Sequence, residues 1–230
     1  MVVTFPLESL TPARDRCLPV DEAFTPLLPD AGLRRGRVIG CTGPAAISLA
    51  LALASRSVTV GSWLAVVGVP MLGVEAAGEF GIELSRLVVV DADGGPTVWA
   101  ERVAAAADGF DIVLTRPPGG AERVARKVRT RLQAGGVVLI AVGPTSPGMS
   151  CDLEFTTTAV VWSGLGRGHG HLVARRATVR AGGRRMPRPV ELDLWLPAPD
   201  GRVAPVDPDA RNERNGVRHP SVTPVLSRAG

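Results

Sequence analysis

The chain has 230 residues, which is enough for one well-packed domain of ordinary size with some length left for tails. Apolar residues make up 45% of the sequence and aromatic residues only 4%. The core must therefore be built from Val, Leu, Ile and Ala, a composition typical of a buried parallel sheet covered by helices. The formal charge is +4, but the stretch 163–230 holds 12 arginines against 6 acidic residues. Such a basic third is compatible with an acidic protein partner or with nucleic acid, and equally with a coding bias toward Arg.

Cysteine usage and hydropathy bear on where the protein works. The three cysteines have neither metal-ligand nor Cys-x-x-Cys spacing, which indicates a reducing compartment. The N-terminus lacks the basic region and the apolar stretch of a signal peptide. The uncharged stretch 57–74 approaches spanning length, but Gly and Pro interrupt it. We therefore expect a cytoplasmic protein without a membrane span.

The first half of the chain predicts alternating strands and helices. Residues 1–30 carry five prolines and no sustained period, which predicts an extended N-terminal segment. From Gly36 onward, short apolar runs alternate with helical patterns, and this alternation predicts a parallel α/β sheet. The predicted strands are 37–40, 63–67, 87–90, 112–114 and 137–142, and the predicted helices are 45–54, 96–107 and 121–134.

The pattern changes after Val142. Apolar runs at 159–162, 172–180 and 190–195 predict antiparallel strands at the C-terminal end of the sheet. From Pro197 onward there are six prolines, many charges and no aromatic residue, which predicts a disordered tail over 197–230. The expected fold is thus an α/β core over 31–196, with a mostly parallel central sheet flanked by helices.

Four pieces of this order resemble the core of RecA. They are the approach to the first strand at 32–39 (GLRRGRVI), the pair Gly43-Pro44 that follows it, the segment 81–87 (GIELSRL) and the antiparallel ending. Within that superfamily, the run 43–49 (GPAAISL) and the Arg-rich turns resemble the ImuA′ accessory proteins of actinobacterial mutagenesis cassettes.

This resemblance implies a role in DNA repair, as part of induced mutagenesis in the SOS response to DNA damage. The implied direct partner is an ImuB-type inactive Y-family polymerase. A DnaE-type error-prone polymerase and the sliding clamp would be indirect partners in the translesion synthesis complex (the mutasome), which implies association with the nucleoid. The members of this group act as RecA-like accessory proteins, so the resemblance implies a scaffold.

The phosphate-binding loop of such a fold has degenerated in this sequence. A working loop needs glycines for close backbone approach, a Lys for the β- and γ-phosphates and a Ser or Thr for magnesium. The chain has one lysine, Lys127, and it lies far downstream in a predicted helix. The loop position supplies an opening glycine and a hydroxyl but no lysine, and consists of Gly43, Pro44, Ala45, Ala46, Ile47 and Ser48.

The two acidic positions are also occupied by other residues. Thr115 and Arg116 follow the strand 112–114, where a carboxylate would hold magnesium. The strand 63–67 runs into 68–70 (GVP), where a carboxylate would activate water. We therefore expect a pseudo-ATPase that binds no cofactor or metal and is not an enzyme.

Two groups of residues remain candidates for contacts with other molecules. The segment 143–155 holds no Lys or Arg, so filament-type DNA binding is not expected. Weak DNA or partner contacts are predicted for Arg167, Arg175, Arg176, Arg180, Arg184 and Arg185. Apolar residues of the tail are predicted to order on a partner: Val203, Val206, Val217, Val222, Val225 and Leu226. Two rival functions stay open, a DNA-binding module that uses these arginines and a Rossmann-like enzyme with another site.

Overall fold

A computed structural model describes residues 16–70, 72–143, 149–165 and 170–207. The strands are β1 (Cys17–Leu18), β2 (Leu33–Arg34), β3 (Val38–Thr42), β4 (Leu64–Val67), β5 (Leu87–Val90), β6 (Ile112–Thr115), β7 (Val138–Val142), β8 (Leu153–Leu165), β9 (Gly170–Gly183), β10 (Met186–Trp195) and β11 (Ala204–Pro205). The helices are α1 (Ala46–Thr59), α2 (Val74–Glu79), α3 (Pro96–Ala106) and α4 (Glu122–Gly135), with 3₁₀ turns at Glu22–Leu27 and Leu84–Arg86.

Nine of the described strands form one sheet, in the order β11-β10-β9-β8-β3-β7-β6-β4-β5. The strands from β5 across to β8 run parallel to one another, and β9, β10 and β11 continue the sheet antiparallel. The predicted α/β sheet with an antiparallel C-terminal end is therefore confirmed. The central strand β3 lies between β7 and β8, so the chain leaves β3 toward one side of the sheet and later returns to its other side.

Helices cover both faces of the parallel strands, which explains why β4 and β7 are apolar along their whole length and β3 and β6 are apolar up to a terminal threonine. Helix α1 packs on one face with the N-terminal 3₁₀ turn. Helices α3 and α4 pack on the other face around Trp99. Helix α4 buries one stripe and ends at Gly135, and the left-handed backbone of the next residue, Gly136 (φ 65°), caps its last turn. None of the helices in the described ranges combines the length and the apolar character that crossing a membrane requires.

The N-terminal segment belongs to the core from Leu18 onward, which corrects the expected extended segment over 1–30. Phe24 and Leu27 of the first 3₁₀ turn are fully buried. The Asp21 carboxylate accepts a hydrogen bond from the Ala23 amide at 3.0 Å and so caps the turn. Prolines exclude a long helix but are compatible with a short 3₁₀ turn between extended stretches. Residues 1–15 lie outside the described ranges.

The folded region also extends past the expected boundary at Leu196. Strand β11 pairs with β10, and the Val206 amide donates to the Asp193 carbonyl at 3.0 Å. Val203 and Val206 are buried, so these two residues of the predicted partner-binding tail belong to the core. Without β11, the backbone N–H and C=O groups at this end of β10 would form an open sheet edge. The short strand β11 pairs with them, and its proline is tolerated because β11 is itself an edge strand.

Two truncations test where the folded region ends. Removal of the residues after Asp207 is expected to leave the free energy of unfolding within about 0.5 kcal/mol of the full chain. Removal of the residues after Leu196 also deletes two buried valines and β11, which is expected to cost about 2–4 kcal/mol. Urea denaturation followed by circular dichroism measures both values. Equal midpoints for the two truncations would contradict the assignment of 197–207 to the core.

Candidate functional site

The loop after β3 occupies the position of the expected phosphate-binding loop, between the central strand and the first helix. Gly43 adopts a left-handed backbone with φ 93°. A Cβ atom at this position would overlap the Thr157 carbonyl oxygen and would lie 2.5 Å from its Oγ1. Only glycine therefore fits here, because β8 approaches the loop so closely.

Thr157 of β8 satisfies the backbone of this loop from inside the protein. Its buried hydroxyl accepts a hydrogen bond from the Ala45 amide at 3.1 Å and donates to the Thr42 carbonyl at 3.3 Å. In a phosphate-binding loop such amides point at the phosphates. The neighbouring Thr156 adds a second link, because its hydroxyl lies 2.9 Å from the Thr42 hydroxyl. The loop is thus bonded to β8.

The position after β6, where a magnesium-binding carboxylate was considered, holds a buried threonine. The Thr115 hydroxyl donates to the Val67 carbonyl at 2.8 Å and accepts from Trp99 Nε1 at 2.7 Å. Both hydrogen-bonding directions of the hydroxyl are therefore used within the core. The next residue, Arg116, is exposed at the carboxyl end of the sheet.

A cavity of about 610 Å³ lies beside Arg116, at the carboxyl ends of β4, β5 and β6. Ligands of open α/β sheets bind at this end of the strands. Trp99 forms part of the wall, and the charged residues at the cavity are Asp91, Asp93 and Arg116. No Ser, Cys or His belongs to the described lining. Within the described ranges, no three His, Cys, Asp or Glu residues are grouped as metal ligands would be.

Among the predicted contact arginines that the structure describes, Arg175 is buried and does not belong to an exposed basic face. Arg175 is only 8% exposed, and its Nε donates to the Leu196 carbonyl at 2.6 Å. Its guanidinium also lies 4.8 Å from the centre of the Trp162 ring. Burial lowers the pKa of the Arg175 guanidinium below its ordinary value. Arg175 is therefore committed to the link between β9 and the chain after β10.

The other arginines differ in their surroundings. Arg176 forms an ion pair with Asp193 at 2.7 Å, and Thr178 donates to the same carboxylate at 2.6 Å. Arg180 is exposed on β9. Arg184 and Arg185 form the turn between β9 and β10. Arg167, Val217, Val222, Val225 and Leu226 lie outside the described residues.

Large apolar side chains are exposed in groups on at least two surfaces of the described part of the chain. The first is the edge of the sheet at β5, together with the 3₁₀ turn before it, and includes Leu84, Val88 and Val89. The second is the distal part of the hairpin formed by β8 and β9, and includes Val161, Trp162, Leu172 and Val173. Apolar side chains grouped at a surface often mark sites of protein interaction.

Thr156, Thr157 and the buried Asp152 were not recognised from the sequence. All three lie in or just before β8, and they contact β3 residues more than 110 positions earlier in the chain. The run of three threonines at 156–158 was the available signal, because such a run is unusual within an otherwise apolar strand.

Residues 26–148 match the family model described as the MT3502 N-terminal domain. The match covers more than half of the chain and includes the parallel strands β3 to β7, whereas β8 to β11 follow it. The function of that family is not established. No curated protein matches the chain.

Replacement of Thr157 by Val tests the link between β8 and the loop. The substitution keeps the shape of the side chain but leaves the Ala45 amide without its acceptor, which is expected to cost about 1–3 kcal/mol of stability. Thr158→Val is the matched control, because Thr158 is exposed and should change stability by less than about 0.5 kcal/mol. Urea denaturation gives both values. A Thr157→Val protein as stable as the control would show that the bond contributes nothing.

Proposed function

We propose that this chain, which belongs to the MT3502 N-terminal domain family, is a non-catalytic RecA-like accessory protein that holds a translesion DNA synthesis complex together. Its direct partner is an inactive Y-family polymerase of the ImuB type. The observation that carries the proposal is the hydrogen bond from the Ala45 amide to the Thr157 hydroxyl. This bond occupies a backbone donor of the loop that a phosphate would need, while the strand before the loop and the helix after it are kept. The partner rests on the sequence resemblance.

The position of the loop supports the RecA-like part of the proposal. The loop connects the central strand β3 to the start of α1, and β3 has β7 on one side and β8 on the other. Phosphate loops of open α/β sheets lie at the same place, after a central strand and before a helix. The antiparallel strands β9 and β10 extend the sheet beyond β8, like the later strands of the core that the sequence resembles.

The loss of catalytic chemistry is supported at three separate positions. The loop lacks a lysine and is bonded to β8, Thr115 uses its hydroxyl within the core, and Gly68 follows β4 where a carboxylate would be needed. Lys127 lies on the outer side of α4, beside the groove between α3 and α4, and not at the carboxyl end of the sheet. Binding and hydrolysis of ATP would need groups at all three positions.

The edge of the sheet at β5 is the surface that we assign to the partner. The Val90 carbonyl accepts from the Gly68 amide on the inner side. Backbone groups alternate in direction along a strand, so the N–H and C=O of Val89 point to the open edge. The Val89 side chain is also exposed (51% for the residue). An extended segment of the partner can add to such an edge as a further strand.

Calorimetry with Mg-ATP tests the proposed loss of nucleotide binding. We expect no saturable heat at millimolar nucleotide, because the loop offers neither a lysine nor the Ala45 amide. The Thr157→Val protein serves as a second sample, since it frees that amide without restoring the lysine and should also fail to bind. Micromolar affinity of the unmodified protein would overturn the pseudo-ATPase assignment.

Two substitutions at Val89 test the partner surface. Val89→Pro removes the outward N–H and should reduce recovery of the polymerase-like partner from damage-treated cells at least about tenfold. Val89→Thr keeps the N–H and the branched side chain, so its recovery should match the unmodified protein. Recovered proteins are identified by mass spectrometry, and equal unfolding midpoints confirm that both variants fold. Recovery of no Y-family polymerase by the unmodified protein would contradict the proposed function, whereas equal recovery by both variants would move the contact away from β5.

A further inference from the structure

At the amino end of β3, both oxygens of the buried Asp152 carboxylate accept hydrogen bonds from neighbouring residues. Asp152 is only 3% exposed. Its Oδ2 accepts from the Val38 amide at 3.1 Å, and Arg129 Nη2 lies 3.0 and 3.1 Å from its two oxygens. Arg129 is fixed in turn, because it also donates to the Ser150 carbonyl. One arginine and one amide therefore satisfy this carboxylate.

Two further arginines approach the same carboxylate without hydrogen bonding to it. Arg37 Nη1 lies 3.7 Å and Arg185 Nε lies 3.9 Å from Asp152 Oδ1, both beyond hydrogen-bond length. Neither guanidinium forms a hydrogen bond with any other described residue. Burial, and next the charge of Arg185, lower the pKa of Arg37 below its ordinary value. Arg37 and Arg185 thus lie close to each other beside Asp152, whose negative charge is already paired with Arg129.

The two guanidiniums open onto a cavity of about 200 Å³. Its walls come from the chain just after the N-terminal 3₁₀ turn, the amino end of β3 and the turn between β9 and β10. The charged residues of its lining are Asp30, Arg34, Arg37, Asp152 and Arg185. The remaining carboxylate, Asp30, lies 3.7 Å from Arg34. Arg37, Arg129 and Arg185 therefore share the single Asp152 carboxylate, so this group carries an excess of positive charge at the cavity.

We propose that Arg37 and Arg185 form a binding site for an oxyanion of the phosphate class. Guanidinium groups present planar pairs of donors that match phosphate oxygens, and two of them converge here from different segments. The cavity is smaller than the roughly 300–1,000 Å³ of most small-molecule sites, so one anionic group fits and a whole nucleotide does not. The anion is either free phosphate or a phosphate group of a nucleic-acid strand.

This site is independent of the proposed scaffold function. It lies at the amino end of β3, whereas the loop bonded to Thr157 lies at the carboxyl end of the same strand. Asp152 acts as a positioning residue, because it draws Arg37 and Arg185 together without using their donors.

Calorimetric titration of the full-length protein with inorganic phosphate at low chloride concentration tests the site. We expect saturable binding, which Arg37→Gln and Arg185→Gln each weaken at least about tenfold. Arg102→Gln is the matched control, because Arg102 is exposed on α3 and lies outside the cavity lining. Arg37→Lys keeps the charge but loses the planar donor pair and should weaken binding to an intermediate extent.

Unfolding midpoints establish that the variants fold, and Arg185→Gln keeps the test valid if Arg37→Gln is unstable, because the Arg185 side chain is 53% exposed. A single-stranded oligonucleotide separates the two sources. If a nucleic-acid phosphate is the ligand, Arg185→Gln weakens oligonucleotide binding and inorganic phosphate competes with it. If free phosphate is the ligand, the substitution weakens phosphate binding alone. Absence of saturable phosphate binding, or equal affinities for Arg185→Gln and Arg102→Gln, would overturn the proposal.

Discussion

The parallel pairing of β3 with β8 is the contact on which the main features of this protein depend. The register that aligns Ile39 with Leu153 and Thr42 with Thr156 places the first residues of β8 beside both ends of β3. At the carboxyl end it brings Thr157 to the loop, and at the amino end it brings Asp152 to the Val38 amide. The closed loop and the arginine cluster are therefore two results of one strand pair.

The hydrogen bond to Thr157 explains how a backbone amide of the loop after β3 is satisfied within the protein itself. A glycine loop that binds phosphate leaves backbone amides for an anion to satisfy, and such amides are costly when buried without a partner. The Thr157 hydroxyl supplies a permanent acceptor inside the protein. Under the proposed function, the frame of strand, loop and helix is retained for the surfaces that it carries, and the chemistry of the loop is replaced by a structural bond.

Most of the longer strands and helices could be predicted from the sequence, because short apolar runs and helical stripes are local signals, whereas β1, β2, α2 and β11 were not predicted. The predicted strands at 87–90 and 112–114 differ from β5 and β6 by at most one residue. The N-terminal turn was missed because the prolines of residues 1–30 indicated an extended segment, whereas Phe24 and Leu27 are buried against residues from other parts of the chain. The same holds for Asp152, which bonds to a residue 114 positions away and so leaves no local pattern. The roles of Arg175 and Arg176 also depended on distant partners, Leu196 and Asp193.

The central position of β3 has a consequence for the order of events during synthesis. β3 is completed early, but its neighbours β7 and β8 are made about a hundred residues later. Pairing between such distant segments is slow, because closing the long loop between them costs chain entropy before the strands can pair. On the ribosome, the nascent chain therefore carries an unpaired apolar strand through much of its elongation, and this interval is when the protein is most exposed to aggregation and to capture by chaperones.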